Sequence, residues 1–395
     1  MSVNRRGVAM MASAHLVDDL YQGAVPALLP FLVAERHYSY AAVAGLTLAA
    51  TVLSSVAQPF FGWWTDRRPR RWMIPAGLGL AAVGFGLSGI FSSYAVTWIT
   101  VALSGLGIAA FHPEGARAAR QASGDSNRGM SIFAFGGNLG FAMGSLIATP
   151  VLLATGLRGT ALLLIPAAVM VLVLVRWLDG VLDGRKGRPR EPLPMPSGRD
   201  DWPAFLRLTA IVMVRSVMFY GLVSFVALYF IHELGASVAL GGAMLTLFLL
   251  SGTMGTVLGG WLADRFGRMA GIRAGFALCI PTLCGLVLMP QWQFALVFVI
   301  LLGIAMYLPY SVFIVLGQDY LPNRIGTASG VTVGLSVSAG GLFNPLLGLL
   351  ADGAGLRLAL AVLLVLPAVA LLLSLAMRDP GRTAPGDEVS GLELG

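Results

Sequence analysis

Charged side chains are scarce in this sequence: Asp, Glu, Lys and Arg together make up 11% of 395 residues. A soluble domain carries about 25%, because its surface faces water. An ordinary water-facing surface is therefore excluded. Cysteine is nearly absent as well. Cys279 and Cys284 are the only two, and they sit in one apolar run, which excludes a disulfide framework and leaves them as small buried residues. Equally missing are a nucleotide-binding glycine loop, a serine elbow and a Cys/His/Asp metal pattern. Nor is any polar stretch long enough for a soluble catalytic domain. No cofactor and no resident metal are expected, direct ATP drive is disfavoured, and the chain does not read as an enzyme.

What is abundant is apolar. Hydrophobic residues reach 57% and the mean hydropathy is +0.80, so lipid must cover most of the surface. A spanning helix needs about 20 mostly apolar residues. With that ruler the sequence predicts twelve spans, at 8–33, 41–64, 72–91, 96–116, 129–154, 159–178, 203–231, 237–262, 271–289, 294–316, 325–350 and 358–377. Arg5, Arg6 and the string Ala12-Ser13-Ala14 imitate a cleaved signal peptide. Apolar character continues past Asp18 and Asp19, however, so the segment reads as an uncleaved first span.

The basic residues test that count. With a cytoplasmic N-terminus, all but four of the 26 Lys and Arg residues fall on the cytoplasmic side. Arg36, Arg158 and Arg357 fall opposite, and Arg215 lies well inside a span. Such a bias is the positive-inside rule. The net charge of +7 is then topological, and nucleic acid is not an expected partner. The expectation is an inner-membrane protein with both termini cytoplasmic. Its parts are a six-helix bundle at 1–179, a linker at 180–201, a second bundle at 202–378 and a tail at 379–395.

The halves also repeat. Gly62-Trp-Trp-Thr-Asp66-Arg67 follows the second span, and Gly260-Trp-Leu-Ala-Asp264-Arg265 follows the eighth, half a chain length later. Repeated membrane halves mark secondary transporters, which bind substrate near the midplane. At these residues the sequence resembles the major facilitator superfamily. Its loop signature is matched by Gly62, Asp66, Arg67, Arg70 and Arg71, with Pro69 in place of the second glycine. The second copy keeps Gly260, Asp264, Arg265, Gly267 and Arg268. The resemblance implies a charge latch that holds the outward-facing state closed, and a monomer.

A narrower likeness lies in His15-Leu-Val-Asp18-Asp19-Leu-Tyr21-Gln22, Phe111-His112-Pro113-Glu114, Gly136-Gly137-Asn138 and the string from Gly317 to Arg324. These are similar to the fosmidomycin-resistance branch, which implies export of small drugs in exchange for protons. Where many antiporters carry Gly-Pro in span five, this chain has Gly144-Ser145.

Ionisable residues inside a membrane are costly and by default functional. His15, Asp18, Asp19 and Gln22 stand at i, i+3, i+4 and i+7, on one helical face, with Tyr21 near them. Span four adds His112 and Glu114 around Pro113. Span seven adds Arg215, and span ten adds Tyr307 and Tyr310. Proton coupling is expected at Asp18, Asp19, His15 and Glu114. Substrate contacts are expected from Tyr21, Gln22, His112, Arg215, Tyr307 and Tyr310. Structural alternatives stand beside these: helix–helix contacts for an aspartate, satisfaction of a proline kink for His112 and Glu114, and a static ion pair for Arg215. A metal shared by His15 and Asp19 has only two donors on one helix. The glycines of span five, Gly136, Gly137, Gly140 and Gly144, suit either sliding helices or close static packing. The expected function is proton-coupled export of a small polar or anionic molecule. Import or facilitated passage on the same fold is the alternative, and metal-ion efflux is a further one.

Overall fold

The computed structural model describes residues 3–67, 70–123, 127–183, 199–324, 328, 331–332 and 336–379. The described residues form helices and no strand. One half is α1 (Arg5–Arg36), α2 (Tyr40–Arg67), α3 (Met73–Ser88), α4 (Tyr94–Ser123), α5 (Asn127–Thr155) and α6 (Leu157–Leu182). The other is α7 (Trp202–His232), α8 (Val238–Phe266), α9 (Arg268–Leu288), α10 (Trp292–Tyr320), α11 (Ser336–Ala354) and α12 (Leu356–Leu375). The chain is an all-α, multi-pass membrane protein of twelve helices. Its termini share one face, called here the terminal face; the opposite one is the loop face.

Several helices outrun the apolar stretches that predict them. Polar caps set the ends instead. Asn4 accepts from the Gly7 amide at 3.1 Å to start α1, and Asp201 accepts from the Ala204 amide at 3.0 Å to start α7. Between α8 and α9 the turn is Gly267 alone, at φ +92°, a conformation open to glycine at little cost. That explains the glycine in the second copy of the repeated motif. Pro69, its counterpart, lies outside the described residues. So do most of the expected linker and tail, and much of the first turns expected for α11.

Burial separates centre from rim. In the most apolar stretch of α1 and α7, 78% and 83% of residues are buried, against 28% and 33% in α6 and α12. Leu172, Val175 and Leu372 point outward, fully apolar, as lipid-facing residues must. The glycines of α5 pack on α1, within one half. A Cβ on Gly140 would meet the Leu16 carbonyl oxygen at 2.1 Å, and one on Gly144 the Leu20 oxygen at 2.3 Å. This run brings the α5 backbone into close contact with that of α1.

The halves meet towards the loop face. Asp352, at the end of α11, accepts from the amides of Tyr40 and Ala41 at 2.7 and 2.9 Å. It thus caps the first turn of α2 across the interface, where the helix dipole favours an anion. Deeper in, Thr47 and Ser224 hydroxyls lie 3.0 Å apart, Asn344 donates to Ser224 at 2.6 Å, and Thr246 donates to Ser145 at 3.1 Å. Replacing Asp352 by Ala removes both acceptors. Two charge-assisted bonds at an exposed site contribute about 1–1.5 kcal/mol after screening, so loop-face closure should weaken roughly five- to tenfold. The check is thiol labelling of Ser224→Cys, with Cys279 and Cys284 replaced by Ser. An impermeant reagent should react faster in the Asp352→Ala background, and equal rates would remove the clamp assignment.

The repeated motifs occupy the terminal face. Arg71 pairs with Asp179 at 3.0 Å and donates to Gln121 at 3.3 Å. Arg70 stacks 4.1 Å from the Trp64 ring centroid, and Gly62 stands in open space. Arg268 pairs with Asp319 on α10, and Arg265 lies over Trp261 and Phe266. Asp264 is exposed and makes no ion pair among the described residues. Gly260 is likewise uncrowded. The side chains of Asp66 and Arg67 lie outside the described residues. Asp179 and Gln121 belong to the same half as Arg71, and Asp319 to the same half as Arg268.

Candidate functional site

Two of the central helices carry broken hydrogen-bond ladders, and each break serves the site. Pro113 in α4 has no N–H to offer the preceding turn. His112, beside it, turns Nδ1 onto the Ile108 carbonyl at 2.8 Å. In α10 regular helix is interrupted at Leu308 and Pro309. At that interruption the Met306 carbonyl accepts from Arg215 Nε at 2.9 Å. Non-helical backbone at membrane depth is tolerated where polar groups re-satisfy it.

On the first half, His15, Asp19 and His112 converge. His15 Nε2 lies 3.2 Å from Asp19 Oδ2, and His112 Nε2 lies 3.5 Å from Asp19 Oδ1. Phe133 on α5 accepts His15 Nδ1 at its carbonyl, 2.8 Å away, and its ring stacks on the imidazole at 4.2 Å. The two imidazoles stand edge to face, 5.1 Å apart. Gly137 makes this possible: a Cβ there would sit 2.5 Å from His15 Nε2 and 2.6 Å from Asp19 Oδ2. Asp18 is buried behind the cluster, its Oδ2 3.6 Å from His112 Nδ1. Neither of its oxygens has a hydrogen-bond donor among the described residues.

On the second half, Arg215 is only 7% exposed. Its guanidinium lies 5.1, 5.4 and 5.7 Å from the rings of Tyr310, Tyr307 and Phe219, which stabilises the cation without neutralising it. No carboxylate among the described residues lies within ion-pair distance, so the static salt bridge considered for it does not form here. Between the two groups is a cavity of about 290 Å³. His15, Asp19, Gln22, His112, Arg215, Tyr307 and Tyr310 all line it. Phe141 and Phe219, 6.1 Å apart, roof it towards the loop face.

The Major Facilitator Superfamily profile matches residues 11–343. The chain belongs to the major facilitator superfamily. It is similar to the fosmidomycin resistance protein of Escherichia coli K12, at 29% identity over 91% of this chain and 89% of that one. It is 31% identical to the MFS-type transporter YfnC of Bacillus subtilis 168, over 92% and 91% of the two chains. Among solved structures, a bacterial homologue of the human lysosomal transporter Spinster superposes with TM-score 0.77. It is 15% identical, with 95% of this chain and 97% of that one covered. The nucleoside transporter NupG follows at TM-score 0.74 and 10% identity, covering 94% and 100%. These structures share the fold, and the chain is a superfamily transporter.

Besides Asp18, which lies behind the cluster and off the cavity wall, two more residues expected at the cavity of this superfamily member are elsewhere. Tyr21 is fully buried and its hydroxyl donates to the Leu163 carbonyl at 2.7 Å. On a 100° wheel it projects well away from Asp19, towards α6. Glu114 is buried near the terminal face with Oε1 3.7 Å from Arg117 Nε. Arg117 in turn donates to the Thr65 carbonyl at 3.0 Å, which ties α4 to the end of α2. Neither lines the cavity. The sequence reading omitted Ser54, Ser55 and Gln58 of α2, Ser216 and Tyr220 of α7, and the α5 residue Asn138 as lining groups. Ser54, Ser55 and Gln58, at i, i+1 and i+4 in an apolar helix, were the available signal.

Proposed function

We propose that this transporter exports a small polar or anionic molecule in exchange for protons. On this reading it sits in the inner membrane with its terminal face in the cytoplasm. The carrying observation is one cavity that presents a buried guanidinium, without an ion-pair partner among the described residues, from one half and a carboxylate–imidazole cluster from the other. An anionic headgroup suits Arg215, whose two terminal nitrogens meet no carboxylate among the described residues. Asp19, at the cavity wall, is the group that takes up and releases the coupling proton, with His15 and His112 as its relay. Competition of substrate and proton for one cavity couples the two by linkage. A cavity of about 290 Å³ is at the lower end for ligand sites, which favours a small substrate.

In this orientation the loop-face contacts support reading the structure as an inward-facing state. Rocking the halves would break the Asp352 clamp and bring the terminal-face motifs together, where Arg71 and Arg268 exchange their present partners for ones across the interface. Similarity to the fosmidomycin resistance protein supports a drug-like substrate. The test is expression in a host lacking its main efflux pumps, with intracellular fosmidomycin and a panel of unrelated drugs measured. Lower accumulation of at least one compound, reversed by an uncoupler, is the expected result. Equal or higher accumulation across the panel would discard export.

A further inference from the structure

The His15–Asp19–His112 cluster has a lone-pair surplus that points to a second kind of occupant. A carbonyl oxygen can only accept, so His15 Nδ1 carries the hydrogen it gives to Phe133, and His112 Nδ1 the one it gives to Ile108. In the neutral rings both Nε2 atoms are then acceptors, and both face oxygens of one carboxylate at 3.2 and 3.5 Å. Acceptor against acceptor repels unless a positive species lies between. A single proton can serve one of these pairs. Two protons would set two imidazolium rings 5.1 Å apart around one carboxylate.

One divalent ion serves all three donors together. The three ligand atoms lie within 4.8 Å of one another. A tetrahedral ion with metal–ligand distances of about 2.0–2.1 Å spaces its ligands roughly 3.3 Å apart, close to the two imidazole–carboxylate contacts, which run to different oxygens of Asp19. Metal-bound imidazoles characteristically donate their other N–H to a carbonyl or carboxylate. Both rings here already do so, and Asp18 stands 3.6 Å behind His112 Nδ1 as an outer carboxylate. Two of the donors come from α1 and the third from α4, and the open side is the cavity, which leaves a position for water.

We propose that His15, Asp19 and His112 form a binding site for a divalent transition-metal ion of the Zn²⁺ class. Two imidazoles and one carboxylate, without thiolate, suit Zn²⁺, Co²⁺ or Ni²⁺. Mg²⁺ and Ca²⁺ want oxygen ligands alone. The ion and a proton are alternative occupants of the same donors, so Zn²⁺ excludes the proton while bound. The inference does not rest on export or on coupling.

It is tested on the purified full-length protein in detergent, with affinity tag removed and no gradient or drug present. Zn²⁺ titration should give one site per chain that survives millimolar Mg²⁺, and Co²⁺ should give the visible ligand-field bands of a low-coordinate complex. Loss of an outer partner of a metal ligand weakens binding by about 10–100-fold. Losing a ligand in His15→Ala or His112→Ala should exceed that. The double variant His37→Ala with His232→Ala removes the other two histidines and should bind as the wild type does. Absence of the Co²⁺ bands in the wild type overturns the site even if the variants fail to fold. So does Zn²⁺ binding that persists in monodisperse His15→Ala and His112→Ala protein.

Discussion

Asp19→Asn is expected to abolish uncoupler-sensitive efflux, by more than tenfold and down to the level of cells without the transporter, while the protein stays in the membrane at wild-type amount. Asparagine matches aspartate in shape, so the packing of Gly137 on the cluster is kept. What is lost is the charge that faces His15 and His112 at 3.2 and 3.5 Å, together with the ability to take up a proton. Asp18 is the natural comparison. It has the same chemistry one residue away, but it is wholly buried and does not line the cavity. Asp18→Asn should therefore reduce transport less than Asp19→Asn. The measurement is drug accumulation with membrane protein level scored in parallel. Wild-type efflux in Asp19→Asn would take the coupling role away from this carboxylate. Equal loss in both variants would assign coupling to the pair.

Much of the architecture could be read from residue order alone, because lipid imposes a simple rule on composition and length. Helical phase also placed His15, Asp19 and Gln22 together, and all three line the cavity. The same phase argument blurred two neighbours. Asp18 is turned 100° from Asp19 and into the bundle, and Tyr21 is turned further still. Which of several residues on a polar arc reaches the cavity depends on how α1 is rotated against α4 and α5, and no local pattern carries that angle. Contacts across the chain were not legible for the same reason. His112 stood out as an ionisable residue beside a proline, but its approach to Asp19 follows from the α1–α4 packing. The Asp352 clamp joins residues more than three hundred positions apart. Pro309 was available as a signal. Its consequence, a carbonyl placed to receive Arg215, needed the position of α7.

Arg215 carries the second large expectation. Arg215→Ala should raise the apparent KM for an anionic substrate by roughly 10–100-fold, the loss of about 1.5–3 kcal/mol that accompanies a hydrogen bond to a charged group. Arg215→Lys should fall between. Lysine keeps the positive charge, but it has no counterpart of the Nε that donates to Met306. Nor has it a planar face to lie among Tyr307, Tyr310 and Phe219. The order wild type, Lys, Ala is thus the signature of a guanidinium that meets substrate. A merely structural role gives a different result, because removing the donor would orphan Met306 and disturb the α10 break. Ala and Lys would then lower membrane protein level, and neutral and anionic compounds would suffer alike. Uptake or efflux of one anionic and one neutral compound, normalised to protein level, separates the two. An equal loss for both compounds would end the case for Arg215 as the anion site. A selective loss for the anion would place the substrate's acidic group against α7, across the cavity from Asp19.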